Sequence, residues 1–231
     1  MGEPRRGWWR RSVGGSDAPG PAFGSSGSGG GIEDGIEGGI EDGIAPFAAG
    51  LRDAAASRGW PVQEQDASLS AVLEQAPLRL TREYLAAPVT RGYAGSWELV
   101  AFDVVYRMPK GQLTAPLYAV TAVPVPIPLP ALRVSPRRFL TRGGTGLLVL
   151  PTGDDAFEAR WRVLVETDTP QVRGVVTEPL RAALLAGPDI DELWTAGGHL
   201  AASRADGHHD QLLTEHSALL TAAMAGLQRS L

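Results

Sequence analysis

The hydrophobic positions of this chain change period several times, and each change marks an element. Phe47, Leu51, Ala54 and Ala55 recur at helical spacing, and Gly59, ahead of Trp60 and Pro61, supplies a C-terminal stop. Residues 60–65 then read as a short strand. Residues 69–76 read as a short helix, with Asp66 or Ser68 as its cap and Pro77 as its end. Over 89–107 the period falls to two: Gly92-Tyr93-Ala94-Gly95 supplies turn chemistry, and Trp97, Leu99 and Ala101 alternate against Glu98 and Val100. After the turn Met108-Pro109-Lys110-Gly111, further strands are expected over 113–123, 131–134, 146–150 and 160–166, the last with Trp161, Val163 and Val165 on one face.

The period then returns to the helical one. Thr169-Pro170 and Thr177-Glu178-Pro179 each place a capping residue just before an early proline, and Gly187-Pro188 stops the second helix. Residues 192–195 and 200–203 can pair as a hairpin across Gly197-Gly198. In the closing stretch Leu213, His216, Leu220, Met224, Leu227 and Leu231 recur every three or four positions, widened by Leu212, Leu219 and Ala223, which predicts an amphipathic helix. Strands in antiparallel runs with helices interspersed give the α+β class: a mainly antiparallel sheet with an N-terminal, a middle and a C-terminal helix packed on it.

One apolar stretch needs separate treatment. The 20 residues 113–132 carry no charge, as a membrane span would, but they end in Val123-Pro124-Val125-Pro126-Ile127-Pro128-Leu129-Pro130. Each proline removes a backbone donor and clashes with a preceding helical turn, so this run has to be extended, on a sheet edge or as polyproline II. Packing at a sheet edge is the expected role; a ligand for a proline-recognising domain is the alternative.

The first 43 residues have a different character. They are rich in Gly and Ser and close with the acidic tetrapeptide repeat that starts at Gly31, Gly35 and Gly39. Ile32, Ile36, Ile40 and Ile44 stand at helical spacing, but the glycines among them cost up to about 1 kcal/mol each relative to alanine. Residues 1–43 are therefore expected to form a disordered acidic arm, and residues 44–231 a single α+β domain. Arg5-Arg6 and Arg10-Arg11 lack a following apolar segment, so no signal peptide or transmembrane segment is expected, and the cytoplasm is the expected compartment.

Composition excludes several chemistries. With 21 basic against 26 acidic residues there is no overall basic field, and nucleic acid is not an expected partner. The absence of cysteine removes disulfides, thiolate zinc sites, iron–sulfur clusters and a cysteine nucleophile.

Several marks, taken in order, give a resemblance. Arg58-Gly59-Trp60 after a helix, Phe102-Asp103-Val104-Val105-Tyr106 in a strand, the Val-Pro/Leu-Pro run, Phe157 with Arg160-Trp161-Arg162-Val163, and Leu193-Trp194 span residues 47–228. In these marks the chain resembles an uncharacterised family of actinobacterial hypothetical proteins. Some members of that family place membrane segments ahead of the domain, where this chain has its Gly-rich arm. The resemblance implies a fold and brings no catalytic residues.

Two clusters are candidates for chemistry. His208, His209 and Asp210, with His199, His216, Asp206 and Glu215 nearby, offer the imidazoles and carboxylates of a zinc, nickel or non-haem iron site, but no His-Glu-x-x-His pair is present. Solvated capping of the last helix is the structural alternative for His208-His209-Asp210. Arg133, Arg137, Arg138 and Arg142 around Phe139 form a candidate anion-binding patch, since guanidinium forks suit phosphate and carboxylate. The carboxylate groups Asp154-Asp155-Glu158 and Asp189-Asp191-Glu192 are assigned to turns and caps, because nothing in sequence brings them together as an acid/base pair. Gly143-Gly144-Thr145-Gly146 lacks the Lys-Ser/Thr of a phosphate loop, and no Gly-x-Ser-x-Gly elbow occurs. No catalytic residues and no cofactor are assigned. The expected function is a non-catalytic interaction or scaffold module with a protein or peptide partner. The alternatives are an enzyme, with or without a metal, using the His-rich C-terminal segment, and a binder of anionic surfaces through Arg137 and Arg138.

Overall fold

The computed structural model describes residues 45–81, 83–109, 112–137, 146–189 and 191–231. The expected arm of residues 1–43, the glycine-rich loop at 143–145, and Arg138 and Arg142 lie outside the described residues.

The fold is α+β. Among the described residues nine strands form one sheet: β1 (Val62–Gln63), β2 (Tyr84–Ala94), β3 (Trp97–Tyr106), β4 (Tyr118–Pro124), β5 (Leu132–Pro136), β6 (Leu148–Val149), β7 (Trp161–Val165), β8 (Glu192–Ala196) and β9 (His199–Arg204). Their order across the sheet is β1-β2-β3-β4-β9-β8-β5-β7-β6, and every pairing is antiparallel. The helices are α1 (Ala45–Ala56), α2 (Ser70–Gln75), α3 (Asp155–Arg160), α4 (Pro170–Val175), α5 (Glu178–Ala186) and α6 (Asp210–Arg229), with a 3-10 turn at Ala67–Leu69 leading into α2.

Local chemistry fixes many of the boundaries. The Asp66 carboxylate accepts from the Ser68 N–H at 2.9 Å and so starts the 3-10 turn, and Thr169 Oγ1 accepts from the Val172 N–H at 3.2 Å at the head of α4. Thr177 precedes α5 but makes no such bond, leaving Pro179 as the stronger start signal. Gly197 and Gly198 both sit at positive φ, 54° and 75°, which a two-residue hairpin turn between β8 and β9 requires. Helix α3 was not expected from the sequence. Asp154 caps it by accepting from Phe157 N–H at 3.0 Å, and only Phe157 of the helix is buried, too short a pattern to show a period.

Strand alternation sends side chains to two faces. One face carries Leu99, Val123, Leu132, Val134, Trp161, Val163, Val165, Leu193 and Leu200, covered by α4, α5 and the C-terminal half of α6. Towards β3 the same face presents Ala101, packed against Leu51 and Ala54 of α1 and Leu213 of α6. The opposite face carries Val100, Phe102, Val104, Val120, Ala122 and Trp194 and is covered by Leu69, Val72 and Leu73. Complete burial of side chains such as Phe102 or Leu132 contributes roughly 1.5–3 kcal/mol each.

The proline run is extended, as its imino acids demand. After β4 ends, Val125 N–H donates to Gly198 O at 3.0 Å. Pro124, Pro126 and Pro128 are exposed, while Val125, Ile127 and Leu129 turn inward against the core. Strand β4 begins five residues later than the apolar pattern predicts, because Pro116 cannot donate to a ladder and only an isolated bridge from Arg107 to Leu113 precedes it. No helix among the described residues is long and apolar enough to cross a membrane.

Candidate functional site

The most unusual chemistry of the molecule lies inside it, between α6 and the sheet. The buried stretch of β3, residues 99–105, is apolar except for Asp103, which is fully buried and points to the α6 face, in step with Leu99 and Ala101. Thr121 of β4 lies opposite Ala101 on one side and Ala202 of β9 on the other, and Asp103 lies opposite Ala119. These alanines leave room above the sheet for polar side chains. From α6, His216 enters this space on the same stripe as Leu212 and Leu220, and His208 enters from the link before the helix.

The side chains form a continuous series. Asp103 Oδ1 accepts from the backbone N–H of His208 at 3.0 Å and lies 2.7 Å from His208 Nδ1. His208 Nε2 lies 3.1 Å from Thr121 Oγ1, and the same hydroxyl lies 3.3 Å from His216 Nδ1. On the far side of that ring, His216 Nε2 is 3.5 Å from Asp191 Oδ1, an electrostatic approach too long for a formed hydrogen bond. Arg204 closes the series: its Nε and Nη2 donate to the two oxygens of Asp191 at 2.6 and 2.9 Å, and Nη2 also donates to Glu215 Oε2 at 2.8 Å. The imidazoles of His208 and His216 stand edge to face, 6.3 Å apart.

Burial and pairing compete within this cluster. Burial opposes the charge of Asp191, but the hydrogen bonds and the charge of the Arg204 guanidinium outweigh it and hold the carboxyl below its ordinary range. For His216 burial wins over the attraction of Asp191 and pushes the ring below the ordinary histidine value. Two atoms of the series, Asp103 Oδ2 and His216 Nε2, are buried without a hydrogen-bond partner.

Carboxylate, imidazole and hydroxyl in the order Asp103–His208–Thr121 are the parts of an activated nucleophile. The setting is different: Thr121 is fully buried and its hydroxyl already bridges to a second ring. The arrangement therefore ties β3, β4, β9 and the segment before β8 to α6. Gly50 of α1 completes the seal, since a Cβ there would lie 2.0 Å from the His208 carbonyl oxygen.

The three residues singled out as a metal candidate go three ways. His208 points into the network, His209 caps α6 by accepting the Leu212 N–H at 3.3 Å, and Asp210 is held outside by the Arg58 guanidinium and the Ser57 hydroxyl. Among the described residues no group of three or more His, Asp or Glu side chains is disposed to hold an ion. His199 sits in the β8–β9 hairpin with Nδ1 2.9 Å from Gly197 O.

Of the arginine cluster, Arg133 is largely buried in a two-pronged pair with Glu192, at 3.1 and 2.8 Å, while Arg137 is exposed and lies after β5. The two are not part of one open patch. The carboxylates Asp154, Asp189, Asp191 and Glu192 are each held by a different arginine: Arg181, Arg160, Arg204 and Arg133. Asp103, Thr121 and Arg204 were not singled out from the sequence. The available signal was an acidic residue inside the apolar run Phe102-Asp103-Val104 together with a histidine on the apolar stripe of the last helix.

No protein-family model and no curated protein matches the chain. Among solved structures the fold is similar to that of the mycobacterial trehalose monomycolate transport factor A, TtfA, with a TM-score of 0.58. The match covers 81% of this chain and 97% of that one at 11% sequence identity, so the likeness is one of fold.

Proposed function

We propose that this chain is a non-catalytic interaction or scaffold module. The observation that carries this reading is the use made of its reactive residue types: the Asp, His and Thr side chains that are ordered like a catalytic triad are sealed beneath α6 and spend their hydrogen bonds on one another. A reaction centre has to present its nucleophile and base to a substrate. The fold shared with a mycobacterial transport factor gives secondary support, since that protein is named for moving a molecule rather than for converting one.

The experiment is complementation of a deletion strain with Asp103→Asn, His208→Gln and Thr121→Val, alongside thermal unfolding of each purified variant. Cellular function is expected to follow the folded fraction, and the chromosomally tagged chain to co-purify, after crosslinking in cells, with a protein or peptide at constant stoichiometry. A variant with wild-type unfolding and wild-type crosslinks that retains less than about a hundredth of the function, a loss typical of removing an acid/base group, would contradict the proposal.

A further inference from the structure

The buried series contains four contacts that each need one hydrogen: Asp103 to His208, His208 to Thr121, Thr121 to His216, and His216 to Asp191. Two neutral imidazoles and one hydroxyl supply three. One contact must go without, and the distances show which, since they lengthen in order along the series, 2.7, 3.1, 3.3 and 3.5 Å.

The assignment of each hydrogen follows from the first contact. The Asp103 carboxylate only accepts, so His208 carries its proton on Nδ1, which leaves Nε2 as an acceptor for the Thr121 hydroxyl. Thr121 then has only an acceptor to offer His216, which must donate from Nδ1. His216 Nε2 is left as a bare lone pair facing Asp191, in keeping with its lack of a hydrogen-bond partner. We infer that His216 Nε2 is a one-proton acid sensor built beneath the C-terminal helix, with both buried histidines held as Nδ1–H tautomers while it is empty.

Proton uptake has a defined consequence. A proton taken from solvent onto Nε2 supplies the fourth hydrogen and makes an imidazolium that competes with Arg204 for the Asp191 carboxylate. Arg204 is also the cation that holds Glu215 of α6, so the new charge changes how the helix is fastened to β9. The ionisable groups of this cluster are Asp191 before β8, Arg204 on β9, Asp103 on β3, His208 from the link, and Glu215 and His216 on α6 itself. Burial pushes the ring's affinity for protons down, which places the response on the acid side of the ordinary imidazole range.

The test is nitrogen NMR of the full chain with labelled histidine. At pH 7.5 both His208 and His216 are expected to show a proton on Nδ1 and a bare Nε2; on acidification His216 Nε2 changes to the protonated type. In Thr121→Val the acceptor for His216 Nδ1 is gone, so the neutral ring is expected to move its proton to Nε2 and donate to Asp191. Amide exchange, corrected for its intrinsic pH dependence, is expected to rise first in α6 and residues 205–209 as acid is added. A proton on His216 Nε2 in the wild-type protein at pH 7.5, or an exchange pattern in α6 that acid leaves unchanged, overturns the inference, and both readings are available even if the Thr121 variant does not fold.

Discussion

Asp103 meets His208 twice, accepting its backbone N–H and facing its ring nitrogen with the same oxygen, Oδ1. The pair joins the middle of β3 to the residue that leads into α6, 105 positions later in the chain. Neither group has access to water, so each depends on the other to offset its desolvation.

Replacing Asp103 with Ala leaves the His208 N–H and ring without their acceptor inside the core. The expected loss is about 3–5 kcal/mol, the range for breaking a buried pair from one side. Asp103→Asn retains one acceptor oxygen and is expected to lose less. Urea unfolding midpoints at pH 7.5 measure both, and an alanine variant within experimental error of the wild type would show that the pair carries no stability.

The pH dependence of stability follows from His216 and Asp191. The unfolded chain binds a proton at His216 near the ordinary value of 6.5, whereas burial lowers that affinity in the folded state despite Asp191. Below pH 6.5 the unfolded state therefore holds more protons, and stability falls with pH at up to about 1.4 kcal/mol per pH unit for this one site. Asp191, held below its ordinary value of 3.8, adds a loss of the same sign as pH falls below 3.8. Denaturant titrations from pH 8 to 3 are expected to show the first loss in wild type and not in His216→Gln.

Asp66 offers an independent check near the surface. Its carboxylate accepts from the Ser68 hydroxyl at 2.6 Å and pairs with Arg91, also at 2.6 Å, and these bonds lower its pKa to about 2. Carboxyl-carbon NMR is expected to find Asp66 still ionised at pH 3. Its contribution to stability is present above 3.8 and lost as pH falls towards 2.

Close packing of α4 on α6 depends on two glycines. A Cβ on Gly226 would lie 2.3 Å from the Gly174 carbonyl oxygen, and one on Gly174 would lie 2.2 Å from Ser230 Oγ. Gly226→Ala meets rigid backbone and is expected to cost about 1–3 kcal/mol as overpacking. Gly174→Ala meets a side chain that can rotate and is expected to cost less. Thermal unfolding of the two variants orders them, and the reverse order would contradict this packing.

Much of this architecture was legible because local chemistry and pattern agree. Trp161, Val163 and Val165 alternate into one core, the Gly197-Gly198 turn joins the strands it predicts, and the stripe of the last helix is buried from Leu212 to Leu227, while Leu231, assigned to the same stripe, lies exposed beyond the helix end. The network was not legible, because its members are separated by up to 113 positions, from Asp103 to His216, and meet only through sheet register. Adjacent positions misled for the same reason: His208, His209 and Asp210 look like one cluster in sequence, but a helix start turns consecutive residues in different directions. Arg133 likewise reads as one of four free cations until β5 and β8 pair and bring Glu192 beside it.

The central claim, that the histidine–carboxylate network is sealed inside the fold, is tested most directly by diethyl pyrocarbonate labelling of the native protein, read residue by residue with mass spectrometry. His209 is exposed and His199 half-exposed, whereas His208 and His216 are buried. At pH 7 labelling is expected at His209 and His199, with His208 and His216 reacting only once the chain is unfolded. Labelling of His208 in the folded protein as fast as His209 would contradict the account and return the Asp103–His208–Thr121 series to consideration as a reaction centre.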